Sequence, residues 1–135
     1  MKRFFLIVFC LMMLSGCSSD KKAATEGDPA VKGSYTKISQ DEAKKMMEKD
    51  DGHVIVDVRR TDEYASGHIP GAILIPNESI GAEKPAELTD LDQIILVYCR
   101  SGNRSAQAAK KLADMGYANV YDFGGIMTWT GEIEK

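Results

Sequence analysis

Histidine, cysteine and tryptophan are scarce in this chain of 135 residues, which has two, three and one of them, and aromatics make up only 7%. Two histidines cannot supply the ligand cluster that a zinc centre needs, so neither a metal nor a cofactor is expected. Cys10, Cys17 and Cys99 are too few and too scattered to staple a disulfide scaffold. Long apolar runs are also missing. The one at positions 4–14 has eleven residues and falls short of the roughly 20 that cross a bilayer as a helix. Positive charge is not in excess either, since 17 Lys and Arg face 20 Asp and Glu for a net charge of −3. A nucleic-acid partner is therefore disfavoured, because phosphate binding requires a basic field. With 44% hydrophobic residues the chain is too apolar for disorder, and its length suits one compact domain.

Lys2 and Arg3 precede the apolar run, an arrangement that reads as an export signal. The run closes on Leu14-Ser15-Gly16-Cys17, which resembles the lipobox of bacterial lipoproteins. That resemblance implies a signal peptide at 1–16 and a diacylglycerol on Cys17, which becomes the new N-terminus. The protein would be exported and lipid-anchored to a bacterial membrane, on its periplasmic or extracellular face. Residues 18–34 are polar and aperiodic, so 17–34 reads as a lipidated cysteine and a flexible tether reaching roughly 20–25 Å. Two acyl chains anchor stably where one does not. Processing would leave 15 basic against 20 acidic residues, net −5, and Cys99 as the remaining thiol. In an oxidising compartment a lone cysteine is either buried and inert or kept for its reactivity.

Residues 35–135 alternate short β-branched runs with helical stretches. Strands are expected at 35–38, 54–58, 72–75, 94–98 and 120–121. Ser39 with Glu42 forms a capping box for a first helix carrying Ala43, Met46 and Met47 on one side. Thr61 is the expected cap of a short second helix. Residues 104–115 read as a third, with Ala106, Ala109, Leu112 and Ala113 inward and Gly116 as the stop. The run at 94–98 is apolar on both faces, as a central parallel strand requires. This alternation predicts a doubly wound α/β sheet.

In such sheets the site lies beyond the carboxyl ends of the strands. Arg59 and Arg60 follow the second strand directly, and Arg100 and Arg104 follow the fourth. If those strands are neighbours, four guanidinium groups leave one edge of an otherwise acidic molecule and make a local anion site. The alternative is that they pair with Asp57, Asp62 or Glu63 and carry no function. Tyr98-Cys99-Arg100-Ser101-Gly102-Asn103-Arg104-Ser105 joins the buried strand to a helix. The amides that open a helix lack acceptors and favour an anion, so Cys99 is expected to ionise below the free thiol value of about 8.5. It would then be a nucleophile without a histidine base.

The chain resembles the single-domain rhodaneses over almost all of 35–135. The resemblance rests on Val56-Asp57-Val58-Arg59 with Glu63-Tyr64, on Gly67-His68-Ile69-Pro70-Gly71-Ala72, on the loop from Cys99 to Arg104, and on Gly124-Gly125 with Trp129. It implies a three-layer α/β/α fold on a five-stranded parallel sheet of order 3-2-4-5-1. It also implies a thiosulfate:cyanide sulfurtransferase-like activity. Cys99 takes sulfane sulfur from a small anionic donor such as thiosulfate, becomes a persulfide, and passes the sulfur to a thiophilic acceptor, cyanide or a thiol. The amides of Arg100, Ser101, Gly102, Asn103, Arg104 and Ser105 would cradle the sulfur, with Arg100 and Arg104 holding the donor. Asp57 and Glu63 are expected to fix Arg59 from behind the site.

Two other readings remain open. A cysteine phosphatase or arsenate reductase also cradles an anion, but those loops carry Cys-x5-Arg, whereas Arg104 follows Cys99 after four residues. The shorter loop suits a single sulfur better than a tetrahedral oxyanion. A persulfide carrier or redox module serving a protein thiol partner is not excluded by any residue. His68 is read as a structural hydrogen-bonding group, His53 as exposed, and Tyr64 and Trp129 as packing residues. Incorporation of labelled fatty acid is expected in the intact protein and should vanish in Cys17→Ala; its persistence would refute the anchor.

Overall fold

A computed structural model describes residues 34–135, so the expected export signal and Cys17 lie outside the described residues. Five parallel strands, β1 (Thr36–Lys37), β2 (Val54–Asp57), β3 (Ile73–Leu74), β4 (Ile94–Cys99) and β5 (Asn119–Gly125), form one sheet. Their order is β1-β5-β4-β2-β3, the expected arrangement written from the other edge. Three helices, α1 (Gln40–Met47), α2 (Thr61–Ser66) and α3 (Asn103–Asp114), connect them. The second and fourth strands are neighbours, with Val54 paired to Ile95 and Asp57 to Tyr98.

The pattern of burial explains the layers. β4 is covered on both sides, and Ile95, Val97 and Cys99 face one cluster while Leu96 and Tyr98 face the other. Ala108, Ala109 and Leu112 of α3 pack on the first face. Ala43, Met46 and Met47 of α1 pack on the second with Ile69 and Phe123. Small alanines along α3 let the helix lie close to the strands.

Several boundaries differ from the sequence expectation. Arg60, not Thr61, is the residue before α2, because the Glu63 carboxylate reaches back to accept the Arg60 N–H at 3.1 Å. The third helix starts at Asn103 and buries Ser105, Ala108, Ala109, Leu112 and Ala113, leaving Ala106 only half-buried. β4 runs on to Cys99. β5 is far longer than two residues because both edges are occupied, by β1 and by β4, and Cys99 pairs with Gly125 after a register shift. His53 is half-buried, with its Nδ1 2.7 Å from Asp51.

At the end of β2 the chain buries an ion pair. Asp57 is fully enclosed and Arg59 is 5% exposed. The Arg59 guanidinium donates to Asp57 at 2.7 and 3.0 Å and to the Gly67 carbonyl at 2.7 Å. Tyr98 donates its hydroxyl to Asp57 at 2.8 Å and accepts the Ile69 N–H at 3.0 Å. Burial pushes the Tyr98 phenol above its usual range. Burial alone would weaken the Arg59 charge, but the hydrogen bonds and charge of Asp57 outweigh it and the group is held above its ordinary value. Breaking such a pair leaves an uncompensated buried charge. Arg59→Leu should therefore lower unfolding free energy by about 3 kcal/mol in urea titrations, and a loss under 1 kcal/mol would contradict this account.

Candidate functional site

Cys99 ends the central strand, and Gly102 turns the chain into α3 with a positive φ of 102°, a conformation that side chains resist. This turn carries the Gly102 N–H back onto Cys99, and it donates to Sγ at 3.0 Å. The amides of Ser101, Asn103, Arg104 and Ser105 meet no acceptor among the described residues, as expected at the opening of a helix. Cys99 is 0% exposed, so its sulfur lies enclosed on the floor of the loop.

The loop has its shape because it rests directly on the end of β5. A Cβ at Gly125 would lie 2.2 Å from the Arg100 carbonyl oxygen, so only glycine permits this approach. The Met127 N–H donates to that same carbonyl at 3.1 Å. Ser105, completely buried, spends its hydroxyl on the Gly102 carbonyl at 3.0 Å and approaches that of Gly124 at 3.4 Å. Asp122 accepts the Gly124 N–H at 3.0 Å, which sets the corner. Asp122, Met127 and Tyr98 were not singled out from the sequence as parts of the site. The Asp-x-Gly spacing, a common turn signal, is the one local hint for Asp122.

The four arginines do not act together. Arg59 is turned inward onto Asp57, because a buried carboxylate holds the nearest cation. Arg104 is gripped by Glu63 through two bonds of 2.7 and 2.9 Å. Glu63 therefore serves Arg104 rather than Arg59, contrary to expectation, because α2 faces the start of α3 across the site. Arg60 is exposed and lies 3.7 Å from Glu63 and 3.9 Å from Asp62. Arg100 is exposed, with no carboxylate partner among the described residues. Ser101 and Asn103 are exposed beside it. His68 is structural: it stacks on Tyr64 and bridges the Tyr64 carbonyl and Glu134 at 3.1 and 3.2 Å.

Among the described residues no group of three His, Cys, Asp or Glu side chains converges in a way that could hold a metal. A cavity of about 560 Å³ lined by Met47, His53, Ile69, Trp129 and Glu132 opens near the start of β2, the end of the sheet opposite Cys99.

Residues 39–132 match the rhodanese-like domain. The chain belongs to the rhodanese-like family. It is 38% identical to the thiosulfate sulfurtransferase GlpE of Pseudomonas entomophila over 96 residues, covering 70% of this chain and 84% of that one. It is 37% identical over 103 residues to a provisionally named sulfur carrier protein of Bacillus subtilis, covering 75% of this chain and 54% of the relative. Of a larger adenylyltransferase and sulfurtransferase from Meyerozyma guilliermondii, 38% identical over 91 residues and 62% of this chain, it spans only 21%. Among solved structures it is similar to a rhodanese-like domain protein of Staphylococcus aureus. The TM-score is 0.62 at 34% identity, covering 73% of this chain and 96% of that one.

In this rhodanese-like domain the Glu63–Arg104 pair has a measurable acid signature. The Arg104 hydrogen bonds, opposed by burial and helped by the Arg60 N–H, hold the Glu63 carboxyl at about 2 against a usual value of 4.5. A lowered folded-state pKa means that the stabilisation is complete above 4.5 and is lost as pH falls through about 2. Melting temperature should drop over that window more steeply in the native protein than in Glu63→Gln. Parallel curves would show that the pair adds no stability.

Proposed function

We propose that this rhodanese-like domain is a sulfurtransferase that carries sulfane sulfur on Cys99. The observation behind this reading is the Gly102 N–H donating to Cys99 Sγ at 3.0 Å at the head of α3. That bond, the helix N-terminus and the unpaired amides beside it all stabilise negative charge on a sulfur at this position. The Cys99 thiolate attacks the outer sulfur of a donor such as thiosulfate. A new S–S bond forms, the old one breaks, and sulfite departs with the bonding pair. A thiophilic acceptor, cyanide or a thiol, then attacks the outer sulfur of the persulfide and regenerates the thiolate. Two covalent half-reactions of this kind give ping-pong kinetics.

A carrier role is the second reading, favoured by the likeness to the Bacillus subtilis protein. In it the persulfide waits for a protein thiol instead of turning over on small acceptors. The phosphatase reading is weakened because the position of its arginine holds Ser105, whose hydroxyl is spent on the Gly102 carbonyl, and the neighbouring Arg104 is occupied by Glu63. The proposal includes export, a signal peptide at 1–16, lipidation of Cys17 and a tether to residue 34.

Intact mass of the protein after incubation with thiosulfate should rise by one sulfur, about 32 Da, and Cys99→Ser should show no adduct. An adduct retained in Cys99→Ser would overturn the assignment. Persulfide formation with negligible thiocyanate production would favour the carrier.

A further inference from the structure

The charge available at the mouth of the loop depends on one carboxylate. Glu63 takes both terminal nitrogens of Arg104 and also the Arg60 N–H, so it is fixed from two sides. Arg104 stands in the first turn of α3, two residues beyond the Gly102 N–H that donates to Cys99 Sγ, so its guanidinium belongs to the same loop as the sulfur. Arg59 is committed to Asp57. Among the described residues Arg100 is then the one arginine beside the loop without a carboxylate partner.

The chemistry makes this shortage of positive charge consequential. When the Cys99 thiolate attacks thiosulfate, a dianion, three negative charges gather in the loop and remain there until sulfite leaves. When it attacks the terminal sulfur of a protonated organic persulfide, R–S–SH, only one is present. The Cys99 S–S bond forms, the R–S to S bond breaks, and RS⁻ leaves with the electron pair, giving Cys99–S–SH. Each reaction balances without an added oxidant or reductant. Interactions between charges a few ångströms apart in a partly shielded site are large enough to separate the two donors.

We infer that Glu63 is a specificity-determining residue, which by holding Arg104 disfavours dianionic donors and selects a low-molecular-weight organic persulfide. The inference rests on Cys99 being the sulfur acceptor. The low molecular weight follows from Cys99 lying on the floor of the loop, where a donor must bring its sulfur in past the rim. Glu63 acts through Arg104 and is a positioning residue, not a catalytic one.

The test compares the second-order rates of Cys99 persulfidation by thiosulfate and by cysteine persulfide, followed by intact mass. The native protein should react faster with cysteine persulfide. Glu63→Gln keeps a residue that serves in a capping box and should raise the thiosulfate-to-persulfide rate ratio roughly tenfold. Arg104→Gln, which strands the Glu63 charge, should lower the ratio, and it reads the effect independently if the first variant does not fold. A ratio that stays constant while both rates fall together would show a purely structural role and overturn the inference, as would a native preference for thiosulfate. Failure of both donors to modify Cys99 in the native protein would instead refute the sulfurtransferase reading.

Discussion

The site exists because two stretches of backbone touch where no side chain fits. The turn after β4 lies on the corner that closes β5, so tightly that a methyl group at Gly125 would sit inside the Arg100 carbonyl. Everything that shapes the loop reinforces this contact. Met127 bonds the Arg100 carbonyl from one side, Ser105 ties Gly102 towards Gly124 from the other, and Asp122 sets the corner through the Gly124 N–H. The cradle around Cys99 is therefore main chain held by one backbone bond and two short, fully buried side chains, with few rotatable parts to reorganise when charge develops.

Around that cradle, burial decides what each charged residue can do. Asp57 lies at the end of a strand covered on both faces and cannot remain there as an isolated anion. It takes Arg59 and the Tyr98 hydroxyl, and the resulting network ties β2 to β4 and to the segment from Gly67 to Ile69. Glu63 does the same for Arg104 nearer the surface. Two arginines that look from the sequence like anion ligands thus hold the frame, and Arg100 is left without a carboxylate partner among the described residues. The same division of labour weakens a phosphatase reading and bears on the choice of sulfur donor.

Much of the architecture was legible along the chain. The double-sided apolar run of β4, the capping box at Ser39 and Glu42, and Gly116, whose φ of 103° stops α3, each act through neighbours in sequence. Strand ends were less legible. β5 continues through Asp122 to Gly125 because β1 and β4 flank it, a condition that two apolar residues at 120–121 cannot announce. The cap before α2 fell one residue early because Glu63 reaches back to a backbone amide whatever side chain Arg60 carries.

Local pattern alone determined the alternation of strands and helices, and it placed Cys99 between a buried strand and a helix start. Both follow from side-chain periodicity and backbone preference, which operate over a few residues. The partner of Arg104 was decided only by tertiary structure. Glu63 and Arg104 are separated by 41 positions, and Asp57 and Tyr98 by the same number. Sheet order brings such groups together, and the loss of water around them then selects which charges must be satisfied first.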